Sequence, residues 1–124
     1  MGKALIVDDS RAIRMILGRT LGQLGYEVQE AGDGVQALDI LDRQPSDFNL
    51  ALVDWNMPGM NGMDLLLRLR ADRRYDALPI VMVTTETEMG QVAAAVEAGA
   101  NEYVMKPFTV DVLRDKLRLA GVSM

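Results

Sequence analysis

Three short apolar runs in this chain end in residues suited to phosphate chemistry. Ala4-Leu5-Ile6-Val7 leads into Asp8-Asp9, Leu50-Ala51-Leu52-Val53 leads into Asp54, and Tyr103-Val104-Met105 leads into Lys106-Pro107. A fourth run, Ile80-Val81-Met82-Val83, leads into Thr84-Thr85. As parallel strands these runs would gather their carboxyl ends at one sheet edge, where open α/β proteins hold ligands. That edge would carry three carboxylates, one ammonium and one hydroxyl. Such a set suits Mg²⁺-dependent transfer of a phosphoryl group to an aspartate.

Two carboxylates about 4 Å apart repel by about 4 kcal/mol at an effective dielectric near 20, so a cluster of Asp8, Asp9 and Asp54 must hold protons or bind a cation. Mg²⁺ fits, because it takes oxygen ligands, needs few protein groups and leaves room for a phosphate. Asp54 is the natural nucleophile, since a carboxylate can attack phosphorus to give an acyl phosphate. The transfer then needs positioning and charge neutralisation, for which Lys106 supplies a compact positive charge and Thr84 a hydroxyl donor. Each residue alone has a plainer role: Lys106 in a solvated turn, Thr84 as a β-branched strand residue, Asp8 or Asp9 as a helix cap. One of the two acids is expected to cap the next helix as well. It is the combination that argues for chemistry.

To position these groups the chain must alternate strands with helices. Strand patterns fall at 3–7, 27–31, 50–54, 80–84 and 102–105, each too short for a stable helix and bounded by Gly, Pro, Asp or Asn. The nearly continuous apolar character of the first, third and fourth marks strands buried on both faces. Helical spacing runs through 10–24 (Ile13, Ile16, Leu17, Leu21, Leu24), 34–44 (Val35, Leu38, Leu41), 62–71 (Met63, Leu66, Leu67, Leu69), 88–98 (Val92, Ala95, Val96) and 109–120 (Val110, Leu113, Leu117). Asp33 and Asn61 are candidate N-caps, and Gly25 and Gly99 candidate stops. On the last helix Arg114, Lys116 and Arg118 are expected to face outward. The sum is (βα)₅, an α/β chain with right-handed crossovers and a doubly wound parallel sheet covered on both sides.

The 124 residues suit a single domain, 1–124. A net charge of −5 argues against a nucleic-acid partner, which needs clustered Lys and Arg. Without cysteine or histidine there is no thiolate site, no Ser-His or Cys-His catalysis and no phosphohistidine on this chain. No apolar run approaches a membrane span of about 20 residues, and Met1-Gly2-Lys3 leaves no room for a signal peptide. A cytoplasmic protein with no membrane partner is expected. The nine methionines are read as adaptable core filler.

Four segments resemble the receiver domain of two-component response regulators, most closely CheY-type single-domain chemotaxis regulators. They are Val7-Asp8-Asp9-Ser10-Arg11, Asp54-Trp55-Asn56-Met57-Pro58-Gly59-Met60-Asn61-Gly62, Val83-Thr84-Thr85-Glu86 and Asn101-Glu102-Tyr103-Val104-Met105-Lys106-Pro107-Phe108. The resemblance covers essentially the whole chain. It implies a flavodoxin-like sheet in the order 2-1-3-4-5, an order that the pattern alone does not show and for which CheY is itself a standard example. It implies phosphorylation of Asp54 from a phosphohistidine on a partner CheA-like sensor histidine kinase. Asp9, Asp54 and the Asn56 backbone carbonyl would ligate Mg²⁺, with Asp8 acting through a water. Thr84 and Tyr103 would form the switch, Asn56 and Glu86 would tune hydrolysis towards a short-lived phosphoryl group, and the Lys106–Pro107 bond would be cis. The output face would be helix 4, strand 5 and helix 5, with a flagellar motor switch protein as target, and the chain would act as a monomer. It would be a signalling receiver that catalyses only its own phosphorylation and dephosphorylation. Without the resemblance, Tyr103 reads as a half-buried strand aromatic.

Gly32-Asp33-Gly34-Val35-Gln36-Ala37 fits a dinucleotide fingerprint, but the chain lacks a second mononucleotide half, and a tight turn into a helix explains the glycines. A haloacid-dehalogenase-like phosphatase would need a second Asp two residues after Asp54 as general acid, where this chain has Asn56. A phosphate sink or phosphorelay receiver is the remaining alternative. No DNA-binding segment is expected after Met124.

Overall fold

The computed structural model describes residues 2–85 and 90–122. Five strands, β1 (Gly2–Val7), β2 (Tyr26–Ala31), β3 (Leu50–Asp54), β4 (Ile80–Thr84) and β5 (Glu102–Met105), alternate with α1 (Arg11–Gln23), α2 (Gly34–Arg43), α3 (Gly62–Arg70), α4 (Val92–Glu97) and α5 (Val110–Leu119). The strands form one all-parallel sheet in the order β2-β1-β3-β4-β5. Every residue of β3 and β4 is buried, whereas the edge strands β2 and β5 mix buried and exposed positions. That difference follows from position: an inner strand has helices over both faces and cannot carry a polar side.

Side chains alternate across the sheet, so each strand feeds two cores. Leu5, Val7, Ala51, Val53, Ile80 and Met82 pack with α2 and α3 through Leu41, Leu66 and Leu69. Ala4, Ile6, Leu50, Leu52, Val81 and Val83 pack with α1 and α5 through Leu17, Leu21, Leu113 and Leu117. Asp33 and Asn61 cap their helices as expected, accepting the Gln36 and Asp64 N–H groups, and Thr109 caps α5. Gly25 and Gly99 follow α1 and α4 with φ of 97° and 113°, a region glycine enters freely.

The apolar spacing of the helices is only partly covered. Ile16, Val35, Leu67 and Val96, the last expected to face inward, are about half exposed or more, while Leu65, outside that spacing, is buried. Helix α4 is described from Val92; the expected start at 88 lies outside the described residues. Its only buried residue is Ala95, so it contributes little apolar area. The methionines divide: Met57 and Met82 are buried, whereas Met15 and Met105 are exposed. Lys116 does not simply face outward, since its ammonium lies 4.1 Å from the centre of the Tyr103 ring and 3.5 Å from Glu102.

Arg70 at the end of α3 ties three segments together. Its guanidinium donates to the carbonyls of Gly99, Tyr75 and Leu78 and to Asn101 Oδ1, at 2.6–2.9 Å. Asn101 Oδ1 in turn accepts the Ile80 N–H at 2.9 Å, so this cluster fixes the entries to both β4 and β5. Arg70→Ala strands these carbonyls, and urea denaturation should show a loss of about 2 kcal/mol. A loss below about 0.5 kcal/mol would mean that water replaces the guanidinium without penalty.

Candidate functional site

The register of the sheet assembles the site. Val7 pairs with Val53, so Asp8 and Asp54 follow one another's neighbours on adjacent strands. Thr84 pairs with Met105, which places Lys106 one step beyond. Both Asp8 and Asp54 are buried, at 1% and 5% exposure, while Asp9 stands exposed at the rim. Carboxylate oxygens of the three acids lie within 4.8 Å of one another. Lys106 Nζ reaches Asp8 Oδ2 and Asp54 Oδ1, each at 3.2 Å.

The support around these groups is backbone and helix entry. Asp8 Oδ1 accepts the Ser10 N–H at 2.8 Å. Neither acid caps α1: Ser10 does, its hydroxyl accepting from the Ile13 N–H, which corrects the expectation from sequence. Arg14 Nη1 donates to the Asp8 carbonyl at 2.6 Å and Arg14 Nε to Glu30 at 2.9 Å. This brace between α1 and the ends of β1 and β2 was not foreseen, because half of it is a bond to backbone. The Lys106 N–H donates to the Thr84 carbonyl at 2.7 Å, and the Lys106–Pro107 bond is cis.

Burial raises the Asp54 carboxyl to a pKa of about 6; Lys106 pulls it down, and Asp8 and Asp9 push it up. For Lys106 burial acts downward, but Asp54 and Asp8 outweigh it and leave the ammonium raised above its usual value. The nucleophile candidate is therefore an acid held on the margin of ionisation, and the lysine is firmly cationic. An all-oxygen donor set of three crowded carboxylates matches a hard divalent ion such as Mg²⁺, whose charge would relieve their repulsion.

Thr84 is buried, with its hydroxyl donating to the Thr85 carbonyl at 3.2 Å. Tyr103 is half-buried, packed against the core cluster that contains Val53 and Met82. Asn56 is exposed just past Asp54, and Glu86 lies outside the described residues. Trp55, beside Asp54, is buried.

Gly62 is a further residue of this site that motif reading alone did not explain. Its N–H donates to the Trp55 carbonyl at 2.9 Å, which closes the loop after β3. A Cβ at this position would collide with the Asp54 carbonyl oxygen and lie 2.9 Å from Met82 Cε. Gly62→Ala must therefore push the loop off Asp54. We expect a stability loss of about 2 kcal/mol by urea denaturation and a weaker response of Trp55 fluorescence to Mg²⁺. A variant as stable as the parent would show that the loop yields freely.

The fold and the site define a class. The response regulator receiver domain family matches residues 4–118, and the chain belongs to that family. The chain is 48% identical to the chemotaxis protein CheY1 of Helicobacter pylori over 118 residues, 94% of each chain. It is 46% identical to the chemotaxis protein CheY-3 of Vibrio cholerae over 93% of this chain and 88% of that one. Among solved structures, CheY4 of Vibrio cholerae superposes with a TM-score of 0.87 at 36% identity, covering 99% of both chains. The chain is thus a receiver homologous to CheY proteins, with the flavodoxin-like fold that the resemblance implied. None of these findings supports the phosphatase alternative.

Proposed function

We propose that the chain is a phosphorylation-activated signalling switch, a single receiver domain over 1–124 that accepts a phosphoryl group on Asp54 from the phosphohistidine of a sensor kinase. In the transfer an Asp54 carboxylate oxygen forms the new P–O bond, the P–N bond to histidine breaks, and the imidazole leaves with the electron pair. Asp8, Asp9, Asp54 and the Asn56 carbonyl would hold Mg²⁺, which when bound neutralises charge on the phosphoryl oxygens. Lys106 opposes the same charge from the other side, and Thr84 donates its hydroxyl to a phosphoryl oxygen. Loss of the Lys106–Asp54 pairing, movement of Thr84 and inward rotation of Tyr103 then bias a two-state face made by α4, β5 and α5. Asn56 and Glu86 tune the hydrolysis that resets the switch.

The likeness to CheY proteins supports a role in chemotaxis, with a CheA-like kinase upstream and the flagellar motor switch as target. It also supports action in the cytoplasm as a monomer. Among the described residues no helix is long and apolar enough to cross a membrane. One observation carries the reading above all: Lys106 Nζ bridges the two buried carboxylates of Asp8 and Asp54, at 3.2 Å from each, on the carboxyl edge of a parallel sheet.

Trp55 provides the test. Its fluorescence should change on addition of Mg²⁺, and change again when acetyl phosphate is added in the presence of Mg²⁺. The second change should decay once the donor is exhausted. A signal blind to the donor, with no phosphoryl group found by mass, would reject the assignment.

A further inference from the structure

Of the three acids at the carboxyl edge, two are held by their own side chains. Asp8 is anchored at both oxygens, Oδ1 by the Ser10 N–H at 2.8 Å and Oδ2 by Lys106 at 3.2 Å. Asp54 is held through Oδ1 by the same ammonium, also at 3.2 Å. Asp9 differs. It is exposed, and among the described residues its carboxylate has no hydrogen-bond or ion-pair partner. Its direction is therefore set by the backbone that carries it, and first by the plane of the Asp8–Asp9 peptide.

A single side chain grips that peptide. Arg14, in the first turn of α1, donates from Nη1 to the Asp8 carbonyl at 2.6 Å, and this oxygen belongs to the Asp8–Asp9 peptide. The guanidinium is fixed in turn, since its Nε donates at 2.9 Å to Glu30 Oε1 on β2, the strand beside β1. The Arg14 side chain is only 18% exposed, so water does not readily take its place at the carbonyl. The peptide before is pinned separately, by the Asp8 N–H donating to the Ala31 carbonyl at 3.1 Å. Beyond that bond the course of the chain to Asp9 depends on Arg14. Glu30 matches the guanidinium's charge, so what Arg14 brings to the acids is direction more than charge.

We propose that Arg14 is a positioning residue for divalent-cation binding: by fixing the Asp8–Asp9 peptide it keeps an Asp9 oxygen within 4.8 Å of those of Asp8 and Asp54. The inference rests on reading the three acids as the Mg²⁺ site, and it names a source of preference for Mg²⁺ over a larger cation. Mg²⁺ demands near-octahedral ligand geometry, whereas Ca²⁺ accepts about six to eight oxygens in flexible arrangements. A loosened Asp9 must therefore cost Mg²⁺ more than Ca²⁺. Charge alone predicts the opposite sign. Without Arg14 the Glu30 carboxylate is unmatched, and the added negative charge draws either cation more tightly.

The test is titration of the full chain with Mg²⁺ and, separately, with Ca²⁺, read by Trp55 fluorescence and by the amide resonances of Asp8, Asp9 and Asp54. Arg14→Met keeps the aliphatic stem and loses the donors. Its Mg²⁺ dissociation constant should rise about tenfold, the usual cost of losing a group that orients a metal ligand. That for Ca²⁺ should change by less than about threefold. Glu30→Ala, at a half-exposed position, releases the guanidinium without removing it. By charge alone it would weaken both cations equally, whereas lost positioning should lower the preference for Mg²⁺ over Ca²⁺ by about threefold. A preference equal to the parent's, in folded Arg14→Met or, should that chain not fold, in Glu30→Ala, would overturn the proposal. Tighter Mg²⁺ binding by Arg14→Met would do the same. A parent that shows no Mg²⁺ response by either signal would instead reject the metal reading on which the inference stands.

Discussion

Asp54→Asn is expected to abolish incorporation of phosphate from acetyl phosphate, by at least about a thousandfold as seen by intact mass and by hydroxylamine-labile label. The amide is isosteric and nearly neutral to packing, so circular dichroism should not change. Its oxygen is too poor a nucleophile to attack phosphorus, and the substitution also removes one of the crowded oxygens that would hold a divalent ion. Asp9 is exposed, and Asp8 is anchored through Oδ1 to the Ser10 N–H and through Oδ2 to Lys106. Neither is free to replace Asp54 in line with the donor. Label that persists on the variant and maps to Asp8 or Asp9 would relocate the chemistry. Label on a hydroxyl residue would end the aspartyl-phosphate reading altogether.

The same residues show which features are legible from a single chain. The five strands could be read to within a residue at their ends, because β1, β3 and β4 are buried on both faces and such burial leaves uninterrupted apolar runs. Caps at Asp33 and Asn61 were legible because the signal is local, one side chain and an N–H three residues on. The phase of each helix was less so. Apolar spacing at three and four does not say which edge of the stripe is covered, and Leu65 and Leu67 in α3 differ only in what packs on them. Strand order came through family likeness, since right-handed crossovers alone permit several orders. Arg70 and Arg14 were invisible for a different reason. Their partners are backbone carbonyls from distant segments, and every residue carries a carbonyl. Of the candidate site, Asp8, Asp54 and Lys106 come together as their strand-end positions required. The unsatisfied hydroxyl of Tyr26 could not be anticipated, because a strand tyrosine ordinarily finds a partner or water.

The crowding that serves phosphoryl transfer should also weaken the metal-free fold, and Asp54→Asn exposes this through pH. An unfolded Asp titrates near its model value of 3.8, whereas the folded carboxyl titrates at about 6, chiefly through burial, with Lys106 opposing and Asp8 and Asp9 adding to the shift. The folded state therefore binds the proton more tightly than the unfolded state. As pH rises through 3.8 the unfolded chain releases that proton first, and stability falls until the folded carboxyl has also ionised, beyond about pH 6. Below 3.8 the group is neutral in both states, and Asn, which mimics the neutral acid, should make no difference. Above 6 the variant should be the more stable. The gap is about 3 kcal/mol at most, from the conversion of about 1.36 kcal/mol per pKa unit. Urea denaturation in EDTA at pH 3.5 and pH 8 measures both ends. Excess Mg²⁺ at pH 8 should then close the gap, because an ion that binds only the folded parent stabilises it by mass action, and the variant has lost one of the acids that would hold it. A variant less stable than the parent at pH 8 without metal would mean that the Lys106–Asp54 pair outweighs the burial of the charge. The carboxylates would then be a stabilising ion pair, and the fold would give up nothing to keep them ready for a cation.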